Sequence, residues 1–189
     1  MKFQDYNEAG KKYGIDGGDW LNLEEGDNKV RIVSEFEDYG SHYDKKLKKS
    51  FVCLGKEKCP FCQTGDKPRV QFLGWVIDRK DQKPKLLRIG YKIFQQIGDL
   101  AQSEDYKFDD VPGYDITIKK TGQGLDTNYS VLPARKNTEL TSEEIESIKG
   151  LKDPKEIIEN MKAKLESSPD VSDEDIPIVE DENIEDVPF

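Results

Sequence analysis

The chain is poor in the residues that most enzyme chemistry needs. There is one histidine, His42, so an HExxH zinc site is impossible and a Ser–His–Asp relay would need that single ring. There are three cysteines, Cys53, Cys59 and Cys62, an odd number that cannot form a closed disulfide framework. No apolar run reaches the ~18 residues of a membrane-spanning helix. The first residues, MKFQDYNEAGKKYG, lack the apolar segment of a signal peptide, so the expected compartment is the cytoplasm. The stretch Gly122-Gln123-Gly124 lacks the Lys-Ser/Thr of a phosphate loop. Nothing here makes a case for an enzyme, and binding is the expected work.

Hydrophobic residues are also scarce, at 34%, against 36% charged, which allows one modest core. Basic residues stop at Lys164, and ten acidic residues follow. The net charge of −10 therefore belongs to the tail, and residues 1–165 sum to zero. Within that body, residues 41–92 carry fourteen Lys/Arg against five Asp/Glu. A basic patch and an acidic tail in one chain point to a polyanionic ligand and a second, basic partner.

Periodicity predicts five strands and one helix. Strands are expected at 28–37, 69–79, 85–91, 113–120 and 128–135, from alternation of β-branched and aromatic residues. Ile93, Phe94, Ile97, Leu100 and Ala101 instead repeat at helical spacing. Residues 38–67 read as an insert. A helix between the third and fourth of five strands is the element order of an OB-fold barrel, though a split sandwich or another small barrel shares it. Thr141 and Glu144 have capping-box spacing, and Asp153-Pro154 opens a second short helix. Its stripe Ile157, Ile158, Met161 and Leu165 is expected to pack on the barrel. The resulting plan is a flexible arm 1–19, a core 20–135 with the insert 38–67, helices in 136–165 and an acidic tail 166–189.

The insert holds the most specific motif. His42, Cys53, Cys59 and Cys62 fall within 21 residues as H-x10-C-x5-C-x2-C. Zinc prefers four tetrahedral nitrogen and sulfur ligands, and Cys3His is a closed structural set. A segment with so few apolar side chains gains from such an ion, since structural zinc contributes on the order of 10 kcal/mol to folding. One structural Zn(2+) is therefore expected. A zinc deaminase needs HxE and a separate PCxxC, and neither is present.

Single-strand binders combine a cationic groove with rings on which bases stack. The candidate contacts are Lys45, Lys46, Lys48 and Lys49 of the insert; Phe72, Trp75, Arg79, Lys85, Arg88 and Tyr91 of the central strands; and Lys119, Lys120, Tyr129, Arg135 and Lys136 of the last two strands. At least half of the rings are expected in the core. Phe94 reads as core, Trp75 is ambiguous, and Arg88 and Tyr129 are the better contacts.

A His followed by Cys and CPxC, a Trp-bearing strand, and then KLLRIGYKIFQQI together resemble the T4-type phage single-stranded-DNA-binding, or helix-destabilising, proteins. The resemblance spans about residues 20–135 and the tail. It implies an OB fold with an inserted zinc subdomain, zinc-ligand roles for His42, Cys53, Cys59 and Cys62, and a host-cell cytoplasmic location. That family's basic cooperativity segment has no match in MKFQDYNEAGKKYG. The end EDVPF is instead similar to the acidic tip of bacterial single-stranded-DNA-binding proteins, which docks on replication and repair enzymes. By that likeness Asp186, Val187, Pro188 and Phe189 are the partner-binding residues, with ring and carboxylate suited to an apolar pocket rimmed by Arg or Lys.

The expected function is thus sequence-tolerant coating of single-stranded DNA in replication and recombination, with enzymes recruited through the tail. The alternative is a zinc-stabilised interaction adaptor without direct DNA binding. A metal-dependent nuclease is a distant third.

Overall fold

The computed structural model describes residues 20–167; the arm 1–19 and residues 168–189, including the tip Asp186–Phe189, lie outside them. The sequence predicts five strands, and the described residues form seven, with four helices. In chain order these are β1 (Gly26–Ile32), β2 (Glu37–Asp44), β3 (Lys49–Val52), α1 (Pro60–Gln63), β4 (Arg69–Asp78), β5 (Lys83–Gly90), α2 (Tyr91–Gln102), β6 (Ile116–Thr121), β7 (Asn128–Pro133), α3 (Ser142–Lys149) and α4 (Pro154–Ser167). The two additional strands, β2 and β3, arise largely from the stretch read as an insert.

One antiparallel sheet contains them all, in the order β3-β2-β4-β1-β6-β7, with β5 on the other edge of β4. No ladder among the described residues joins β5 to β7, so the sheet is open and a closed five-stranded barrel is not what forms. β1 and β2 share one edge of β4. β1 pairs with Val76–Asp78 and β2 with Arg69–Leu73. At the break between them, Val33 N donates to Trp75 O at 3.0 Å, and the Ser34 hydroxyl accepts from Trp75 N at 2.8 Å. The side chain takes the role of the missing ladder carbonyl, so the edge stays satisfied through the kink. Gly74 is needed there, because a Cβ would fall 2.9 Å from the Phe36 ring.

Alternation sends side chains to two faces. One face carries Val30, Ile32, Phe72, Val76, Leu87, Ile89, Ile116, Ile118 and Val131, closed over by Ile93 and Ile97 of α2. Phe94 of α2 stacks on Phe72 with ring centres 3.8 Å apart, and Phe36 meets it edge-on. The other face carries Tyr39, Val52, Leu73 and Leu86, covered by Ile158 with Ile157, Met161 and Leu165 of α4. The apolar stripe of the last helix therefore packs on the sheet, as expected. The helix continues through Ser167, and Glu166 reaches Lys58 of the metal knuckle at 3.0 Å.

The local signals hold as well. Thr141 and Glu144 form a complete capping box. Asp153 accepts from Lys155 N at 2.8 Å at the start of α4. Gly122 sits at φ +80° in the β6–β7 turn, where a Cβ would meet Asp126 O at 2.3 Å. The free edge of β7 is covered by a side chain of α2. Gln96 Nε2 donates to Tyr129 O at 3.2 Å, and its Oε1 accepts from Val131 N at 2.9 Å.

Candidate metal centre

Strand pairing brings the four sequence-predicted ligands together. His42 lies in β2 opposite Phe51 of β3, and Cys53 follows directly after β3. The Cys53 backbone N–H donates to Gly40 O at 2.8 Å, which extends the pairing one step and fixes where the thiol starts. Gly55, at φ +89°, turns the chain back, and its carbonyl accepts from both Lys58 N and Cys59 N. Pro60 then occupies the first turn of α1, which presents Cys62 one turn after Cys59.

The ligand atoms of His42, Cys53, Cys59 and Cys62 all lie within 4.8 Å of one another. Cys53 Sγ is 3.5 Å from Cys62 Sγ, and Cys62 Sγ is 3.3 Å from His42 Nε2. Tetrahedral zinc with Zn–S near 2.3 Å and Zn–N near 2.0 Å requires ligand–ligand separations of about 3.5–3.8 Å. The donor set and its spacing fit that ion.

The remaining geometry orients the histidine. Its ring is buried, with Nδ1 2.7 Å from Asp66 Oδ2. Phe61 stacks on it at 5.2 Å and also stacks on Phe51. With Nδ1–H donating to the carboxylate, Nε2 keeps its lone pair and faces the thiols. Asp66 was not singled out in the sequence, because its partner lies 24 positions away. The thiols are held unequally. Burial, then the hydrogen bonds and charges of Cys53 and Cys59, push the Cys62 thiol up to about 12. Cys59 is lowered: burial opposes this, but backbone donors at Cys62, Leu54 and Phe61 outweigh it. A dication among the four would relieve the crowding of thiolates.

No family model, curated protein or solved structure matches this chain. The site therefore has to be read from its own geometry.

The predicted nucleic-acid contacts differ in burial and in the partners they already hold. Phe72 is 9% exposed and stacked on Phe94, so it is a core ring. Arg79 belongs to a buried ion cluster. Its guanidinium donates to Asp115 Oδ1, Glu144 Oε1 and Thr138 O at 2.7–3.1 Å. Arg31 reaches the same Asp115 at 2.9 Å, and Lys29 reaches it at 3.2 Å. Lys85 is held between Asp78 and Asp81 at 2.6 and 2.8 Å. Trp75 is partly buried beside α4 and donates from Nε1 to Lys152 O at 2.8 Å. Tyr129 is half-buried against the core, and Lys120 donates to Leu23 O at 3.3 Å. Arg88 is half-buried and Lys49 likewise, whereas Lys45, Lys46, Lys48, Lys119, Arg135 and Lys136 are exposed, as is Tyr91. Among the described residues, no helix is long and apolar enough to cross a membrane.

Proposed function

We propose that this protein binds single-stranded DNA without regard to sequence, through an OB-like body and a zinc-pinned hairpin, and recruits replication or recombination enzymes through its acidic tip. The observation that carries the reading is the β2–β3 hairpin. Four lysines within residues 45–49 stand at its turn, and a four-ligand cluster anchors its base. A lysine-rich projection held by an ion rather than by its own core suits a polyanion. Support also comes from β1, β4, β5, α2, β6 and β7, which keep the OB-fold element order once the hairpin is set aside.

In the proposed mechanism, zinc supplies only a fixed anchor for the hairpin. Lysines neutralise phosphates, rings stack on bases, and hairpins in the strand are removed by mass action. The decisive experiment is fluorescence anisotropy with labelled oligo-dT at two salt concentrations, with metal content measured on the same sample. The reading requires about one zinc per chain, preference for oligo-dT over duplex, and affinity falling with salt at a slope of about −0.7 per contacted phosphate. Equal affinity for duplex, or none for oligo-dT, removes it.

One observation favours the adaptor reading. The outer face of β4 and β5, where OB folds usually take their ligands, lies under α3 and α4. Absence of oligo-dT binding by a zinc-loaded, folded sample would make the adaptor the better reading.

A further inference from the structure

Because α3 and α4 cover the outer face of β4 and β5, a bound strand needs another seat. The register points to one. The β4–β5 ladder ends at Gln71 and Gly90. Val70 precedes Gln71 on β4, and Tyr91 and Lys92, the first residues of α2, follow Gly90, so both chains leave the ladder at the same end. Val70 is 39% exposed and Tyr91 60%, so two apolar side chains meet solvent at this end of the sheet. Arg69 and Lys92 are exposed too.

On the other edge of β4, Arg69 pairs with Ser41 of β2. The β2–β3 hairpin therefore rises from the same end, and its turn at Lys45 and Lys46 lies about 13 Å beyond Ser41 at the rise of an extended strand. That is room for roughly two nucleotides. Of the acidic groups nearby, Asp66 faces His42, Asp44 is turned onto the hairpin backbone, accepting from Lys46 N and Leu47 N, and Asp38 lies further inward opposite Phe72.

We propose that this end of the sheet is the seat of the single strand. A base stacks on Tyr91 with Val70 beside it, phosphates meet Arg69 and Lys92, and the strand continues toward Lys45 and Lys46. The assignment rests on the single-strand-binding reading and says where the strand lies. The competing basic patch, Lys119 with Arg135 and Lys136, has no comparable ring, since Tyr129 packs on the core. Stacking needs an exposed π face, and Tyr91 offers one.

The test is oligo-dT anisotropy on zinc-loaded wild type, Tyr91→Ala, Tyr91→Phe, Lys92→Gln, and a Lys119→Glu/Lys136→Glu double variant. Tyr91→Ala is expected to weaken binding about 5- to 100-fold, the range of one lost base stack, while Tyr91→Phe stays within about twofold. Lys92→Gln should reduce the salt slope by about 0.7. The double variant should cost less than Tyr91→Ala. Thermal melts of each variant confirm that the fold is kept. If wild type binds but Tyr91→Ala matches it and the double variant abolishes binding, the seat is wrong and the function stands. If wild type does not bind, both are wrong.

Discussion

Asp66 offers a sharp test of the metal centre. Its carboxylate lies 2.7 Å from His42 Nδ1 and is 52% exposed on its side chain. It can therefore be altered without opening the core. Asp66→Asn keeps an acceptor for the Nδ1–H through the amide oxygen and removes only the charge. Asp66→Ala removes both. Outer partners of metal-bound histidines are worth 10- to 100-fold in metal affinity. Half exposure puts Asp66→Asn at the lower end, because solvent screens the charge and water replaces part of the contact. The expected loss is about tenfold, or about 1.4 kcal/mol, for Asn and up to about 100-fold for Ala. The assay is competition for zinc against a chromophoric chelator at neutral pH. It is paired with proton-detected NMR of the His42 ring, in which the Nδ1–H signal should persist in Asp66→Asn and exchange rapidly in Asp66→Ala. Wild-type zinc affinity in both variants would refute the argument, as would a variant that binds zinc more tightly.

Four further outcomes are expected. Chelation should expose the β2–β3 amides to hydrogen exchange before those of β1, β4 and β6; uniform exchange across the sheet would remove zinc as the hairpin's anchor. Asp115→Asn should destabilise the fold by about 3 kcal/mol in urea titration, the low end for breaking a buried ion pair, because Glu144 and the Thr138 carbonyl still hold Arg79. The pH dependence has a definite sign. Although burial opposes it, Arg79, Lys29 and Arg31 hold the Asp115 carboxyl below the ordinary range. Its contribution is complete above the unfolded value near pH 4 and is lost as pH falls through the lower folded value, so wild type and Asp115→Asn should converge in stability only in strong acid. Gly122→Ala should cost about 2 kcal/mol or more, from the left-handed backbone and the clash with Asp126 O; a smaller loss in urea would mean the turn can refold around a side chain.

What could be read from the chain depended on distance along it. The ligand set was legible because all four residues lie within one short segment. Helix α2 was legible because Ile93 and Ile97 sit one turn apart. Arg79 looked like a surface cation because its acids, Asp115 and Glu144, lie 36 and 65 positions away. Phe72 looked like a stacking ring because its partner, Phe94, comes from a different element. The β2 and β3 strands were hidden for another reason. Only Tyr39 and Val52 join an apolar cluster, while His42 and Phe51 pack on the knuckle ring Phe61, so no continuous apolar stripe marks the strands, and lysines fill the turn. The tip of the tail lies outside the described residues, so its expected role rests on the resemblance and on the chemistry of Pro188 and Phe189.

The Gln96 amide has a consequence for crowding. Tyr129, Val131 and Pro133 point their backbone groups away from β6. Gln96 takes the carbonyl of the first and the N–H of the second, and proline has no N–H to offer. A second copy approaching this margin finds the row of donors and acceptors interrupted. Molecules brought shoulder to shoulder at high local density are thus kept from fusing into a continuous sheet along β7, and any ordered array must be built from other contacts.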